Sequence, residues 1–173
     1  VLLYWQLRSP ALRSAFLLGA SYLFYAFFDY RFLLVLIALT LLTYWIGLQI
    51  PRRGYSQGLA WLSAALSLGL LGVFKYTGFV LDNLIPLLDS LNISPVSPGL
   101  HLLLPVGISF YTFQAISYTT DIYRKRIQPR TDLVEYALYL GFFPKLTAGP
   151  LLQPDAFFKQ LQTGSPKPSS ERI

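Results

Sequence analysis

The 173-residue sequence contains no cysteine and no methionine, and its one histidine is His101. The missing thiols exclude disulfides, thiolate metal sites and a cysteine nucleophile within the chain. A single histidine excludes a multi-histidine metal cluster. Charge is scarce as well. Asp, Glu, Lys and Arg together make 13% of the residues, against about 25% in a soluble domain. The chain starts at Val1 rather than Met and stops in the polar stretch from Pro166 to Ile173, so it is expected to be a piece of a longer protein. No small-residue cleavage site follows the first apolar run, so no secretory signal is expected.

Apolar material is abundant. Hydrophobic residues make 54% of the chain and aromatic ones 16%. The simplest solvent for that much apolar surface is lipid. A helix needs about 20 mostly apolar residues to cross a bilayer. Five runs approach or reach that length: 14–28, 32–50, 58–81, 102–120 and 133–152. None alternates with the period of two that a membrane barrel strand requires. The sequence therefore predicts an all-α, polytopic transmembrane helical bundle forming one domain over 1–173.

The formal net charge is +6. The basic residues do not gather on one face of a folded domain, which argues against nucleic-acid binding. They sit in short clusters between the apolar runs. Basic loops stay in the cytoplasm. Residues 8–13, 51–57 and 121–132 are thus expected to be cytoplasmic. Residues 82–101, with Asp82 and Asp89 and no Lys or Arg, are expected outside. The fifth run does not fit simple crossing. It carries Pro144, Lys145 and Gly149-Pro150. A proline inside a helix removes a hydrogen bond and kinks it, and a lysine near the bilayer centre is costly. A broken or re-entrant segment over 133–152 resolves both difficulties. Residues 155–162, with Phe157, Phe158 and Leu161 on one face, suit either a short helix lying on the membrane or an ordinary surface helix.

The fourth run holds the richest polar pattern. Gln114, Ser117, Tyr118 and Asp121 fall at i, i+3, i+4 and i+7, so they share one helix face, which Tyr111 extends. Such a stripe faces a bundle interior or a watery cavity rather than lipid. Two readings stay open: hydrogen-bonding contact between helices, or the lining of a substrate tunnel. Asp121, beside the basic cluster, also suits an interfacial salt bridge. Lys145 calls for a partner or an anionic ligand, and Glu135 or snorkelling to the surface are the plainer accounts. Lys75 is expected to snorkel. His101 lies in a Pro/Ser/Gly-rich loop without an acid–nucleophile arrangement near it, so it is not expected to be catalytic. Ser63, Ser67 and Gly69 are expected to let helices approach closely.

An ordered series of strings carries a resemblance. It runs from Ala20-Ser21-Tyr22-Leu23-Phe24-Tyr25-Ala26 through Tyr44-Trp45-Ile46-Gly47-Leu48 and Phe74-Lys75-Tyr76. It continues in the stretch from Leu104-Pro105-Val106-Gly107 to Phe113-Gln114, then Ser117-Tyr118, Asp121-Ile122-Tyr123-Arg124, and the stretch from Phe142-Phe143-Pro144-Lys145 to Gly149-Pro150. The series resembles the membrane-bound O-acyltransferase family, and most of all its bacterial alginate O-acetyltransferase branch, with the D-alanyl-lipoteichoic-acid transferase as a relative. The resemblance implies a helical funnel through the bacterial inner membrane. It implies acetyl or acyl transfer from a cytoplasmic donor, acetyl-CoA or an acyl carrier, toward an extracytoplasmic polysaccharide or cell-wall polymer. A periplasmic acyltransferase partner is implied too. The family's catalytic histidine lies on a later helix and His101 does not match it, so no catalytic residue carries over and the chain alone is expected to be inactive. Where relatives often have histidine in the Phe-Pro-x-Leu string, this chain has Lys145. Gln114, Ser117, Tyr118, Asp121 and Lys145 are then candidates for the tunnel wall. The broken helix and buried lysine also suit a transporter or flippase segment, but no inverted repeat is visible. A purely structural membrane scaffold is the third reading.

Overall fold

The computed structural model describes residues 9–90, 105, 107–148 and 153–163. Seven helices and no strand occur among the described residues: α1 Pro10–Phe28, α2 Tyr30–Arg52, α3 Gln57–Ser90, α4 Ile108–Tyr123, α5 Leu133–Gly141, α6 Phe143–Ala148 and α7 Pro154–Thr163. Helix α1 starts with a proline in its first turn, where no amide partner is lost. Asp29 alone links α1 to α2. Its backbone is extended and its carboxylate accepts a hydrogen bond from the Arg31 amide at 2.8 Å, capping α2. One residue thus turns the chain back and makes α1 and α2 antiparallel neighbours.

Three helices, α1, α2 and the first 21 residues of α3, are long and apolar enough to cross a membrane. Their outward faces carry Leu23, Phe27, Leu34, Trp45, Trp61, Val73 and Phe79, all exposed. Their inward faces bury Ser21, Thr40, Thr43, Ser63 and Ser67. Polar groups inside and large apolar groups outside reverse the pattern of a water-soluble bundle. The molecule is membrane-embedded, and Ser21, Thr40 and Thr43 bond back to their own helices, whereas the Ser63 and Ser67 hydroxyls have no partner among the described residues. Thr40 and Thr43 each donate to the carbonyl four residues earlier at 2.7 Å.

Of the other two apolar runs, the fourth departs from the sequence expectation and the fifth is broken as expected. Residues 102–120 do not form a full crossing helix. Gly107, with φ 75°, stands at the N-cap in a conformation that disfavours a side chain, and α4 starts only at Ile108. Its 16 residues reach about 24 Å, less than the ~30 Å apolar layer. Residues 133–148 give two short helices, broken where Phe142 adopts φ −64°, ψ 106°. The break leaves the Phe143 amide to donate to the Ser21 hydroxyl at 3.4 Å, a contact across 122 positions. Helix α3 outlasts its expected run. It continues to Ser90, so the first part of the expected outer loop 82–101 is helical. Residues 91–101, including His101, lie outside the described residues, as does the stretch before residue 9.

The short segments share one end of the bundle. The Tyr118 hydroxyl, near the end of α4, accepts a hydrogen bond from the Arg130 amide at 2.9 Å, just before α5. The Arg130 guanidinium lies 4.4 Å above the Phe158 ring of α7. Gln153 and Asp155, at the start of α7, face Arg124 and Arg126 across one cavity. The chain therefore enters the bundle at α5 and is back at the same end by α7.

Candidate polar cavity at the basic end of the bundle

Helix α4 is the central element, packed on both α2 and α3. Its buried face reads Ile108, Tyr111, Thr112, Gln114, Ala115, Tyr118, Thr119 and Ile122, the 3.6-residue rhythm of a helix sunk in a bundle. The structure divides the expected polar stripe in two. Gln114 and Tyr118 point inward and are buried. Ser117 and Asp121, half-buried, line a cavity of about 390 Å³ with Thr120, Arg124, Arg126 and Asp155.

Tyr118 is held from every side. Its hydroxyl is fixed by the Arg130 amide, and its ring centre lies 4.4 Å from that of Tyr136. The opposite edge meets Gly47, where a Cβ would stand 2.9 Å from the Tyr118 ring. Such a contact forbids any side chain at position 47 unless the ring moves. The Tyr136 hydroxyl in turn pairs with Thr43 at 2.7 Å in full burial. Tyr118 is therefore a packing and loop-fixing residue. Gln114 is different. Its Oε1 atom has no hydrogen-bond partner among the described residues, and the same holds for Tyr111 Oη and Thr112 Oγ1 on the same helix.

Asp121 makes the expected interfacial ion pair, with Arg126 at 3.6 Å. Lys145 does not make its expected one. Glu135 pairs with Arg130 at 3.9 Å, and Lys145 does not snorkel. It is 6% exposed, with Nζ 3.6 Å from the Phe157 ring centre and 5.0 Å from that of Tyr139. No hydrogen-bond partner for Nζ occurs among the described residues. Lys75 is exposed, 5.7 Å over the Tyr76 ring, as snorkelling requires. Ser63 and Ser67 are fully buried as close-approach residues, whereas Gly69 meets nothing within 4 Å.

Three features escaped sequence reasoning. Phe157 and Phe158 do not lie on a membrane. They insert among Tyr118, Tyr139 and Phe142 and close an aromatic cluster. Gly47 sits in one of the matched strings, but only its neighbour across the bundle explains it. Gln153 and Asp155 reach the cavity only because the chain returns to this end of the bundle. The cavity presents hydroxyls, two guanidinium groups and two carboxylates, and no cluster able to hold a metal occurs among the described residues. Its chemistry suits holding a polar or ionic group rather than moving a proton.

Comparison with known proteins narrows the reading. A probable alginate O-acetylase, AlgI, of Pseudomonas aeruginosa is 41% identical over 153 residues, 86% of this chain and 29% of that protein. The corresponding Azotobacter vinelandii protein is 42% identical over 150 residues, 84% of this chain and 30% of its own length. The chain is homologous to these O-acetylases. A peptidoglycan O-acetyltransferase of Helicobacter pylori is 29% identical over 182 residues, 90% of this chain and 34% of that protein. The O-acetylase-like chain thus spans about a third of the length of the curated relatives it matches. No family model matches it, and no solved structure matches it.

Proposed function

We propose that this chain forms part of a membrane O-acyltransferase that moves an acetyl or acyl group from a cytoplasmic donor toward an extracytoplasmic glycan or cell-wall polymer. The observation that carries the reading is the similarity to relatives named for acetylating two different polymers, alginate and peptidoglycan. The shared step would be chemical rather than polymer-specific. A thioester C–S bond breaks, an ester C–O bond forms, and the acceptor hydroxyl proton ends on the released thiol. Acetyl-CoA or an acyl carrier is the donor class. The family resemblance implies that the general base is a histidine outside this segment.

Within that enzyme, the segment supplies a wall. The basic end of the bundle lies on the cytoplasmic face of the inner membrane, by the distribution of Arg and Lys. Ser117 and Asp121 would line the donor side of the passage, with Gln114 and Lys145 deeper in. A periplasmic acyltransferase would take the acyl group onward to the polymer. The test is expression of the full-length protein that contains this segment in a bacterium deleted for its own polymer O-acetylase. Base-labile acetate on the polymer should return, and Gln114→Leu should lower it at unchanged protein level. Restoration of substrate export without any acetate on the polymer would favour a transporter instead.

A further inference from the structure

A second groove, of about 310 Å³, runs along the outside of the bundle between the basic ends of α3 and α4. Its floor is Ala60 and Ala64 of α3 with Ile116 of α4. The alanines are one turn apart, and their small side chains leave the space that a leucine would fill. Trp61, 68% exposed, and Tyr123 form its sides. Arg124 closes the end, beside Gln57 and Thr120. From Gln57 to Ala64 the groove descends about 10 Å along the helix axis, from the helix end into the apolar span.

The charge at its head is uncommitted. In the run Arg124-Lys125-Arg126, Lys125 lies 4.7 Å over the Tyr55 ring and Arg126 pairs with Asp121. Arg124 is exposed and makes no ion pair among the described residues. A tryptophan and a tyrosine flanking a cation, above an apolar trough, is the arrangement of a membrane–water interface. Leu68, 48% exposed and one turn beyond Ala64 on the same side of α3, marks this surface as lipid-facing. A water-soluble anion would satisfy Arg124 and leave the alanine floor bare.

We propose that this groove seats one anionic phospholipid of the surrounding leaflet. Its phosphate lies against Arg124 and one acyl chain lies along Ala60, Ala64 and Ile116. The site stands on the membrane location of the bundle and not on acyl transfer.

The full chain, purified in detergent, is incubated with equal amounts of phosphatidylglycerol and phosphatidylethanolamine, and bound lipid is counted by native mass spectrometry. Phosphatidylglycerol should be retained preferentially. Arg124→Gln should cut that preference about fivefold, and Arg124→Lys should restore most of it. Ala64→Leu should lower retention of both lipids by filling the trough. Arg53→Gln, exposed and outside the groove, should change nothing. Equal retention of the two lipids by the unaltered chain would overturn the proposal. So would an Arg124→Gln protein that still prefers phosphatidylglycerol, or displacement of that lipid by coenzyme A. Should Ala64→Leu melt early, the exposed Arg124 pair decides alone.

Discussion

The Nζ atom of Lys145 lies 3.6 Å from the centre of the Phe157 ring, in a site 6% exposed. A desolvated cation over a ring gains roughly 2 kcal/mol. Taking an ammonium out of water costs several kcal/mol, so the ring alone does not offset the burial. As an ammonium, Lys145 is thus a net cost to stability at this position. Lys145→Met keeps the length and removes the charge. Its melting temperature in detergent should equal or exceed that of the unaltered chain, while acetate on the polymer falls at least tenfold. A Met variant that melts lower with full activity would show that Lys145 is structural. Lys145→Glu should melt lower, because an anion faces the negative faces of Phe157 and Tyr139.

Gly47 and Tyr118 test the tightest contact in the bundle. Gly47→Ala places a methyl group 2.9 Å from a ring carbon. The ring has little freedom to retreat, with its hydroxyl on the Arg130 amide and Tyr136 stacked at 4.4 Å. Overpacking of this kind costs about 1–3 kcal/mol. Thermal unfolding followed by tryptophan fluorescence should fall accordingly. Tyr118→Leu in the same chain should recover part of the loss, since the smaller side chain frees the space. An alanine variant as stable as the original would mean that α2 and α4 sit farther apart than described.

The Thr43–Tyr136 pair joins α2 to α5 through one buried hydrogen bond of 2.7 Å. Thr43 already donates to the Leu39 carbonyl, so Tyr136 is the donor in this pair. Removing the Thr43 hydroxyl strands Tyr136 and costs about 1–3 kcal/mol. Removing the Tyr136 hydroxyl leaves Thr43 still bonded and costs less, and removing both leaves nothing stranded. Thr43→Val and Tyr136→Phe should each lower stability, and the double variant should cost less than their sum. Additive losses, measured as shifts in melting temperature, would show that the two hydroxyls do not meet.

Which of these features the sequence revealed follows from physical range. The spans α1, α2 and early α3 were legible because a bilayer demands about 20 apolar residues in a row, a local property. The Asp121 ion pair was legible because Arg126 is a near neighbour in sequence. The onset of α4 was not, because apolar content continues through residues 102–107 while Gly107 breaks the helix conformationally. The length of α3 was not, because Asp82, Asn83 and Pro86 interrupt a hydropathy run without ending the helix. For Lys145 the sequence leaves open Glu135, snorkelling or an anionic ligand. The Phe142 break and the return of α7 instead bring Phe157 to it. Gly47 and the cavity residues Gln153 and Asp155 depend on contacts between distant stretches, which no local pattern encodes.

The return of the chain to one end of the bundle yields the most direct test, because a chain without cysteine gives no labelling background. Arg130 and Phe158 touch at 4.4 Å, and Asp155 lines the same cavity as Arg124 and Arg126. Single cysteines at exposed Gln128 and Lys159 should therefore be modified from the same side of the membrane. A membrane-impermeant maleimide added to intact spheroplasts should leave both unlabelled. The same reagent on inverted vesicles should label both. A helix crossing the membrane between them would put Lys159→Cys on the opposite side and reverse its pattern alone. Lys159 belongs to an exposed ion pair with Asp155 at 2.6 Å, 70% and 51% open to solvent. Exposed pairs contribute about 1 kcal/mol or less, so the cysteine variant should fold and its labelling should report topology rather than damage.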